Sequence, residues 1–144
     1  MAVGDVTVFN EAKGYLLDGG FEAADTIKIA LCDNTTAPTA STTTPTLADF
    51  TQVGTSGSYV SGGTSLGTLG DAVTVTGGTA KFDSSTNPSW AQHASNDTDC
   101  SWGIIYNDTD GTDRAIAFVE LGTADMQAGT LTITWNASGI FTYT

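Results

Sequence analysis

The sequence predicts a mainly β protein, an antiparallel β-sandwich or barrel of jelly-roll type with one short helix near its N-terminus. Three observations favour this fold class: short runs of alternating apolar and polar residues, turn-forming dipeptides between them, and a composition rich in threonine, serine and glycine. The 144 residues have the size of one domain. Because neither a repeat nor a second hydrophobic block divides them, residues 1–144 are expected to form a single β domain.

The N-terminal region, about residues 1–20, is predicted to form an arm followed by a helix. Residues 1–8 have the pattern of a first strand or arm. Apolar residues then recur at helical spacing, which predicts a helix from about Asn10 to Leu17. The turn sequence Asp18-Gly19-Gly20 ends it.

Beyond this helix the apolar residues recur at every second position, which is the period of a β-strand. In Thr26–Leu31 the isoleucines and the leucine fall on one face. A long polar stretch, Asp33–Thr46, contains two prolines and is expected to be a surface loop. The remaining strand candidates, separated by glycine and Asn-Asp turns, are Phe50–Val53, Ser58–Ser61, Ala72–Thr76, Thr79–Phe82, Cys100–Asn107, Arg114–Leu121, Leu131–Trp135 and Ile140–Tyr143.

The charge of the chain restricts its partners. Only 14% of the residues are charged, and the formal net charge is −12, from 16 acidic and four basic residues. Nucleic acids and anionic membranes would be repelled, since both are bound through clustered Lys and Arg. No apolar run approaches the ~20 residues of a membrane span, and the N-terminus lacks the pattern of a secretion signal. We therefore expect assembly in a cytoplasm, with neither nucleic acid nor membrane as a partner.

The residues that could support catalysis form no recognisable pattern. His93, the only histidine, lies between predicted strands, and no positioning signature places a nucleophile beside it. Cys32 and Cys100 lack metal-ligand spacing and are expected to be reduced, buried side chains, although a disulfide between two strands stays open. The prediction is a protein that is not an enzyme and has no catalytic residues.

An acidic loop near residue 110 is the sharpest local feature. Asp108, Asp110 and Asp113 alternate with polar residues around a glycine, which resembles part of a calcium-binding loop. The flanking helices and the closing glutamate of a calcium-binding hand are missing, so a plain hairpin turn is the alternative. Calcium is the single cofactor that the sequence suggests, and Ser95–Asp99 is a weaker acidic loop of the same kind.

Three tryptophans could stack on a sugar or pack in the core. Trp102 and Trp135 lie inside predicted strands, so core packing is expected for both. Trp90 follows an Asn-Pro turn in a predicted loop, which makes it a candidate for a contact between subunits.

The order of segments along nearly the whole chain resembles that of small, β-rich structural proteins in the virions of tailed bacteriophages. The resemblance implies a virion component and carries no catalytic residue with it. Each segment is a generic strand-and-turn piece, and the pattern lies in their order: Phe9–Leu16, Thr26–Leu31, Gly57–Gly63, Thr79–Asp83, Pro88–Ala91, Trp102–Asp108 and Leu131–Asn136.

The resemblance leads to a first expectation, a capsid decoration or cement protein that stabilises the head through protein–protein contacts. Its acidity fits the outer surface of the head better than the lumen, where packaged DNA lies. Its partners would be the major capsid protein or other virion proteins, and analogy with head decoration proteins implies a homotrimer. Phe9, Tyr59 and Trp90 are the candidate interface residues.

Two alternatives remain at the level of sequence. A tail, fibre or baseplate component would use the long Asp33–Thr46 loop and the threonine-rich surface equally well. A carbohydrate- or calcium-dependent binding module would use Trp90 and the Asp108–Asp113 loop.

Overall fold

Ten short strands in three antiparallel sheets form the framework of the structure, a computed structural model that describes residues 4–143. The predicted fold class, mainly β with antiparallel sheets and one short N-terminal helix, is confirmed. The main sheet has the order β1-β8-β7-β2-β3, so β1 and β3 are its edges and it does not close into a barrel within the described residues. The strands are β1 (Val6–Val8), β2 (Thr26–Cys32), β3 (Thr64–Thr68), β4 (Val73–Thr76), β5 (Thr79–Phe82), β6 (Ser89–Trp90), β7 (Cys100–Asn107), β8 (Ala115–Ala124), β9 (Leu131–Thr132) and β10 (Phe141–Tyr143).

The N-terminal helix, α1 (Asn10–Leu17), has the predicted bounds. Its start is covered by the long polar loop, because the backbone N–H of Asn10 donates to the carbonyl oxygen of Ala40 at 2.8 Å. After the helix the chain turns at Gly20, whose N–H donates to the carbonyl oxygen of Tyr15 at 2.8 Å. The predicted arm is described from residue 4 onward, and its strand β1 pairs with β8; residues 1–3 lie outside the described residues.

The core lies around the central strands of the main sheet, where β7 and the first half of β8 are buried on both faces. Burial on both faces explains why these two segments are nearly continuous apolar runs, whereas β2 alternates at its start because Thr26 and Lys28 are only partly buried. Phe9, just before α1, packs on Phe118 of β8 at 5.0 Å between ring centroids and on Phe50 at 6.1 Å.

Two predicted strands are not strands in the structure. Phe50–Val53 makes a single bridge, from Gln52 to Cys32, and Ser58–Ser61 runs into a turn. Their apolar residues reflect burial, since Phe50, Val53 and Tyr59 are all core residues. Burial of apolar side chains without a neighbouring strand does not create a ladder of hydrogen bonds.

The sequence analysis missed four elements, one of which is the single-turn 3-10 helix Leu47–Asp49. Strand β3 is an edge strand with Leu66 as its one buried residue, so it carries almost no period-two signal. The one-turn helix α2 (Leu69–Ala72) is started by Thr68, whose Oγ1 accepts the Asp71 N–H, and the two-residue strand β6 is too short to give a pattern. Strand β9 is shorter than predicted: it ends at Thr132, whereas the sequence analysis predicted a strand from Leu131 to Trp135.

The predicted Asp33–Thr46 loop is a surface segment with buried anchor points. Pro38 and Pro45 are buried within it, and the Pro45 carbonyl oxygen accepts the Ala115 N–H at 2.8 Å. No helix within residues 4–143 is long and apolar enough to cross a membrane.

Candidate functional site

The sheet β10-β5-β4 is amphipathic. Val73 lies opposite Phe82 and Val75 opposite Ala80, and the partners of those two β5 residues on β10 are Phe141 and Tyr143. Because directly opposed residues of an antiparallel pair share a face, one face of this sheet is entirely apolar. The residues of the opposite face are polar: Thr74, Thr76, Thr79, Lys81 and Thr142.

The apolar face does not meet a complete second layer. Between it and the end of α1 lies a cleft of about 410 Å³, which we call the apolar groove. This volume is within the range of ~300–1,000 Å³ that is usual for binding pockets. The groove is lined by Leu16, Phe21, Ala23, Leu69, Gly70, Val73, Ala80, Lys81, Phe82, Ile116, Phe141 and Tyr143.

The wall of the groove opposite the sheet is fixed by backbone hydrogen bonds. After α1 the chain turns so that Phe21 packs edge-on against Tyr15, at 5.9 Å between ring centroids. The N–H of Gly70 then donates to the Ala23 carbonyl oxygen at 2.8 Å, which ties α2 to this segment. A Cβ at Gly70 would lie 2.9 Å from the same oxygen, so glycine is required for this close approach.

Large apolar side chains that are neighbours of lining residues, in sequence or on the same face of the sheet, are exposed to solvent. Leu17 is 92% exposed and Val75 is 70% exposed, while Leu16 is half-exposed. Val75 follows Val73 on the same face of β4 and lies opposite Ala80, which lines the groove. A continuous apolar surface of this kind marks an interaction site on many soluble proteins.

The charges beside the groove are predominantly negative. Glu22 lies between the lining residues Phe21 and Ala23, and Asp71 follows the lining residue Gly70; both are exposed. Lys81 is the basic residue in the lining, and its Nζ lies 3.1 Å from Oδ2 of Asp83. This ion pair neutralises the lysine, so the exposed acidic neighbours of the lining, Glu22 and Asp71, outnumber the exposed Lys13 of α1.

One polar atom beside the groove has no partner. The hydroxyl oxygen of Tyr143 is buried and makes no hydrogen bond in the part of the chain that the structure describes. Burial raises the pKa of this hydroxyl to about 12, so it stays protonated at neutral pH. An unsatisfied buried hydroxyl costs about 1–3 kcal/mol.

The three predicted interface residues are core residues, which corrects that prediction. Phe9, Tyr59 and Trp90 have exposed fractions of 0%, 2% and 4%. Tyr59 donates its hydroxyl to Oε1 of Gln52 at 2.6 Å, and Trp90 is part of β6, opposite Leu131 of β9. All three lie in short or irregular segments that resemble exposed loops in sequence, although long-range packing covers them. The other two tryptophans are half-buried and pack against the core, as expected.

The acidic loop between β7 and β8 is a turn closed by ion pairs. Asp108 Oδ2 lies 2.8 Å from Nζ of Lys28, and Asp110 Oδ2 lies 2.8 Å from Nε of Arg114. Burial, together with the negative charges of Asp108 and Asp110, raises the pKa of Asp113. Among residues 4–143, no group of three or more His, Cys, Asp or Glu side chains is arranged to hold a metal ion. The loop geometry therefore favours the hairpin-turn alternative for Asp108, Asp110 and Asp113.

The second acidic loop and the histidine have structural partners. The Ser95 N–H donates to Nδ1 of the exposed His93 at 3.0 Å. The buried Asn96 donates its amide to the carbonyl oxygens of Ala91 at 2.9 Å and Met126 at 3.1 Å. These bonds hold the turn from His93 to Asn96 in place.

Neither cysteine is available as a nucleophile. Cys32 and Cys100 are both buried free thiols. Burial, with a smaller contribution from nearby acidic side chains, raises the pKa of each thiol to about 12. Because the reactive form of cysteine is the thiolate, both side chains are inert at neutral pH.

The sequence analysis did not identify the groove, although a signal for its floor exists. Val73 and Val75, Ala80 and Phe82, and Phe141 and Tyr143 are all spaced by two residues, which is typical of one-sided strands. That spacing cannot show that the facing layer leaves a cleft. The sequence matches no family model, and it has no match among the curated proteins or the solved structures.

Proposed function

We propose that this chain is a structural protein of a tailed-bacteriophage virion, and that it acts as a head decoration protein which binds a neighbouring capsid protein through the apolar groove. The observation that carries the proposal is an open apolar cleft of about 410 Å³ whose lining includes the half-exposed Leu16. Such a surface is suited to covering by another protein. The type of particle in this proposal, a tailed-bacteriophage virion, comes from the order of segments, which resembles that of phage virion proteins.

The composition supports the same proposal. A surface rich in threonine, serine and glycine loses little side-chain entropy when a neighbour covers it. The net charge of −12 favours the outside of the head over the DNA-filled lumen. The functional groups best suited to catalysis have other roles here, since both thiols are protonated and buried and His93 accepts a backbone N–H.

The test is the position and the copy number of the chain in purified particles. Cryo-electron microscopy is expected to place it on the outer surface of the head, in a fixed ratio to the major capsid protein. Separation of heads from tails gives a second measurement. Recovery of the chain with tails alone would support a tail, fibre or baseplate component instead, and particles that lack the chain would contradict a virion function altogether.

The trimeric state stays a prediction by analogy. Light scattering of the purified chain measures its mass directly. A monomer in solution that becomes trimeric on the particle would agree with a decoration protein whose oligomer forms on its partner. A chain that is monomeric both in solution and on the particle would contradict the predicted trimer.

A further inference from the structure

We infer that the apolar groove binds an apolar segment flanked by lysine or arginine, supplied by a protein other than a second copy of this chain. The inference deepens the proposed function and depends on it only for the source of that segment. Three features carry it: the composition of the groove, the charge of its rim, and the charge balance of the chain.

The floor and walls of the groove require apolar side chains from the partner. Phe82, Phe141 and Val73 form the floor, and Leu69 and Phe21 lie on the opposite wall. Full burial of an apolar side chain such as Leu or Phe contributes roughly 1.5–3 kcal/mol. A cleft of about 410 Å³ accommodates a short apolar segment rather than one side chain.

The charged residues next to the groove determine which charge should flank the apolar segment of the partner. Glu22 and Asp71 are both exposed and belong to the wall opposite the sheet, one next to Phe21 and the other next to Gly70 in sequence. Lys81 adds no free positive charge, because it is paired with Asp83 at 3.1 Å. Complementary charges around an apolar contact raise the association rate and exclude acidic partners, so the rim selects basic flanks.

A second copy of the chain cannot supply those flanks. Each copy carries a net charge of −12 and only four basic residues. Three of these form ion pairs within the copy: Lys28 with Asp108, Lys81 with Asp83, and Arg114 with Asp110. The fourth, Lys13, lies on α1 with its Nζ near Oδ1 of Asn10, one turn before Leu17. Contact between two copies at this rim would therefore bring negative charges together.

The test measures binding of labelled synthetic peptides to the purified full chain by fluorescence anisotropy. The probes are peptides of about twelve residues, long enough to fill a groove of this type. One has leucines in its centre and lysines at both ends, one has glutamates at both ends instead, and one has lysines at the ends but serines in its centre. We expect the first to bind about tenfold or more tightly than either of the others, with an affinity that falls as salt is raised.

A matched pair of variants connects this binding to the groove. Val75 and Val60 are both 70% exposed, but only Val75 shares the apolar face of the groove sheet. Val75→Glu is expected to weaken binding of the leucine–lysine peptide at least tenfold, while Val60→Glu leaves it unchanged. The double variant Glu22→Gln with Asp71→Asn should narrow the difference in affinity between the lysine-flanked and glutamate-flanked peptides. Thermal unfolding of each variant checks that it is folded.

Several results would overturn the inference. These are equal binding of the lysine-flanked and glutamate-flanked peptides to the wild type, equal loss in Val75→Glu and Val60→Glu, or binding to none of the peptides. Salt-independent binding of a long-chain fatty acid, in competition with the leucine–lysine peptide, would make the groove a small-molecule site and would also overturn it. Particles that contain the chain with an empty groove would refute the inference and leave the virion function standing. If the peptides bind as expected but purified particles lack the chain, the inference stands and the virion function is refuted.

Discussion

Asn107 and Asp25, 82 residues apart in sequence, are joined by a hydrogen bond in the interior: Nδ2 of Asn107 donates to Oδ2 of Asp25 at 2.7 Å. The same carboxylate oxygen accepts the N–H of Glu22 at 2.9 Å. Asn107 in turn accepts the N–H of Thr109 at 3.0 Å, in the turn after β7. One buried pair therefore holds both the β7–β8 turn and the segment that forms a wall of the groove.

Replacement of Asp25 by alanine is expected to destabilise the protein by about 2–4 kcal/mol. Two donors, Nδ2 of Asn107 and the backbone N–H of Glu22, would lose their acceptor, and each such buried loss costs about 1–3 kcal/mol. Urea denaturation measures the free energy of unfolding. The control is Glu22→Gln, an exposed change that should stay within about 0.5 kcal/mol of the wild type. Equal stability of Asp25→Ala and the control would contradict a structural role for the pair.

Gly63 to alanine is expected to destabilise the protein by about 2–5 kcal/mol. Gly63 has a φ of +72°, and a Cβ at this position would overlap the carbonyl oxygen of Ile29 on β2. The left-handed conformation alone costs a non-glycine residue roughly 1–2 kcal/mol, and displacement of a packed strand adds a cost of ~1–3 kcal/mol.

The matched control for this change is Gly78→Ala. Gly78 has a φ of +82° but nothing within 4 Å of the added Cβ, so it incurs the conformational cost alone. Urea denaturation of the two variants separates the conformational cost from the steric one. A loss in Gly63→Ala no larger than that in Gly78→Ala would show that β2 can shift without cost.

Both thiols are expected to resist modification in the folded protein. A pKa of about 12 for Cys32 and Cys100 leaves about one thiolate in ten thousand at pH 8, and burial blocks the reagent as well. A chromogenic disulfide reagent should therefore react with neither cysteine in buffer and with both in guanidinium chloride. Rapid reaction without denaturant would mean that the end of β2 at Cys32 or the start of β7 at Cys100 opens readily.

Asp113→Asn is expected to raise the stability at neutral pH. The pKa of this carboxyl is raised in the folded state by burial and by Asp108 and Asp110, so its ionised form costs folding energy. The folded chain then binds a proton more readily than the unfolded chain, and the cost disappears as the pH falls below the usual pKa of aspartate. Asparagine keeps the φ of +50° that this position requires.

Thermal unfolding at pH 7 and near pH 3 measures this effect. The melting temperature should rise by roughly 1–4 °C at pH 7, the shift that a few tenths of a kcal/mol produces in a domain of this size, and should be unchanged near pH 3. Millimolar calcium should leave the wild-type melting temperature unaltered. A calcium-dependent rise that Asp113→Asn removes would support the calcium-binding alternative instead.

The predictions that succeeded concern elements whose signal is local. Helix α1, strand β5 (Thr79–Phe82) and strand β7 (Cys100–Asn107) have the bounds read from the sequence, because apolar spacing and the adjacent turn residues decide them. The interface prediction for Phe9, Tyr59 and Trp90 failed because burial in an irregular segment depends on residues distant in sequence. The ring of Phe9 is covered by Phe50 and Phe118, for example.

The sequence by itself determined that the protein is a mainly β, acidic domain with a short N-terminal helix, since composition, charge and period are properties of neighbouring residues. Only the tertiary structure decided that an apolar groove exists and where it lies. Phe82 and Phe141 stack at 5.0 Å on its floor, while Leu16 and Phe21 stand on the other side. The alternation of a strand specifies which side chains share a face, but the fit between that face and the layer opposite depends on how distant segments pack.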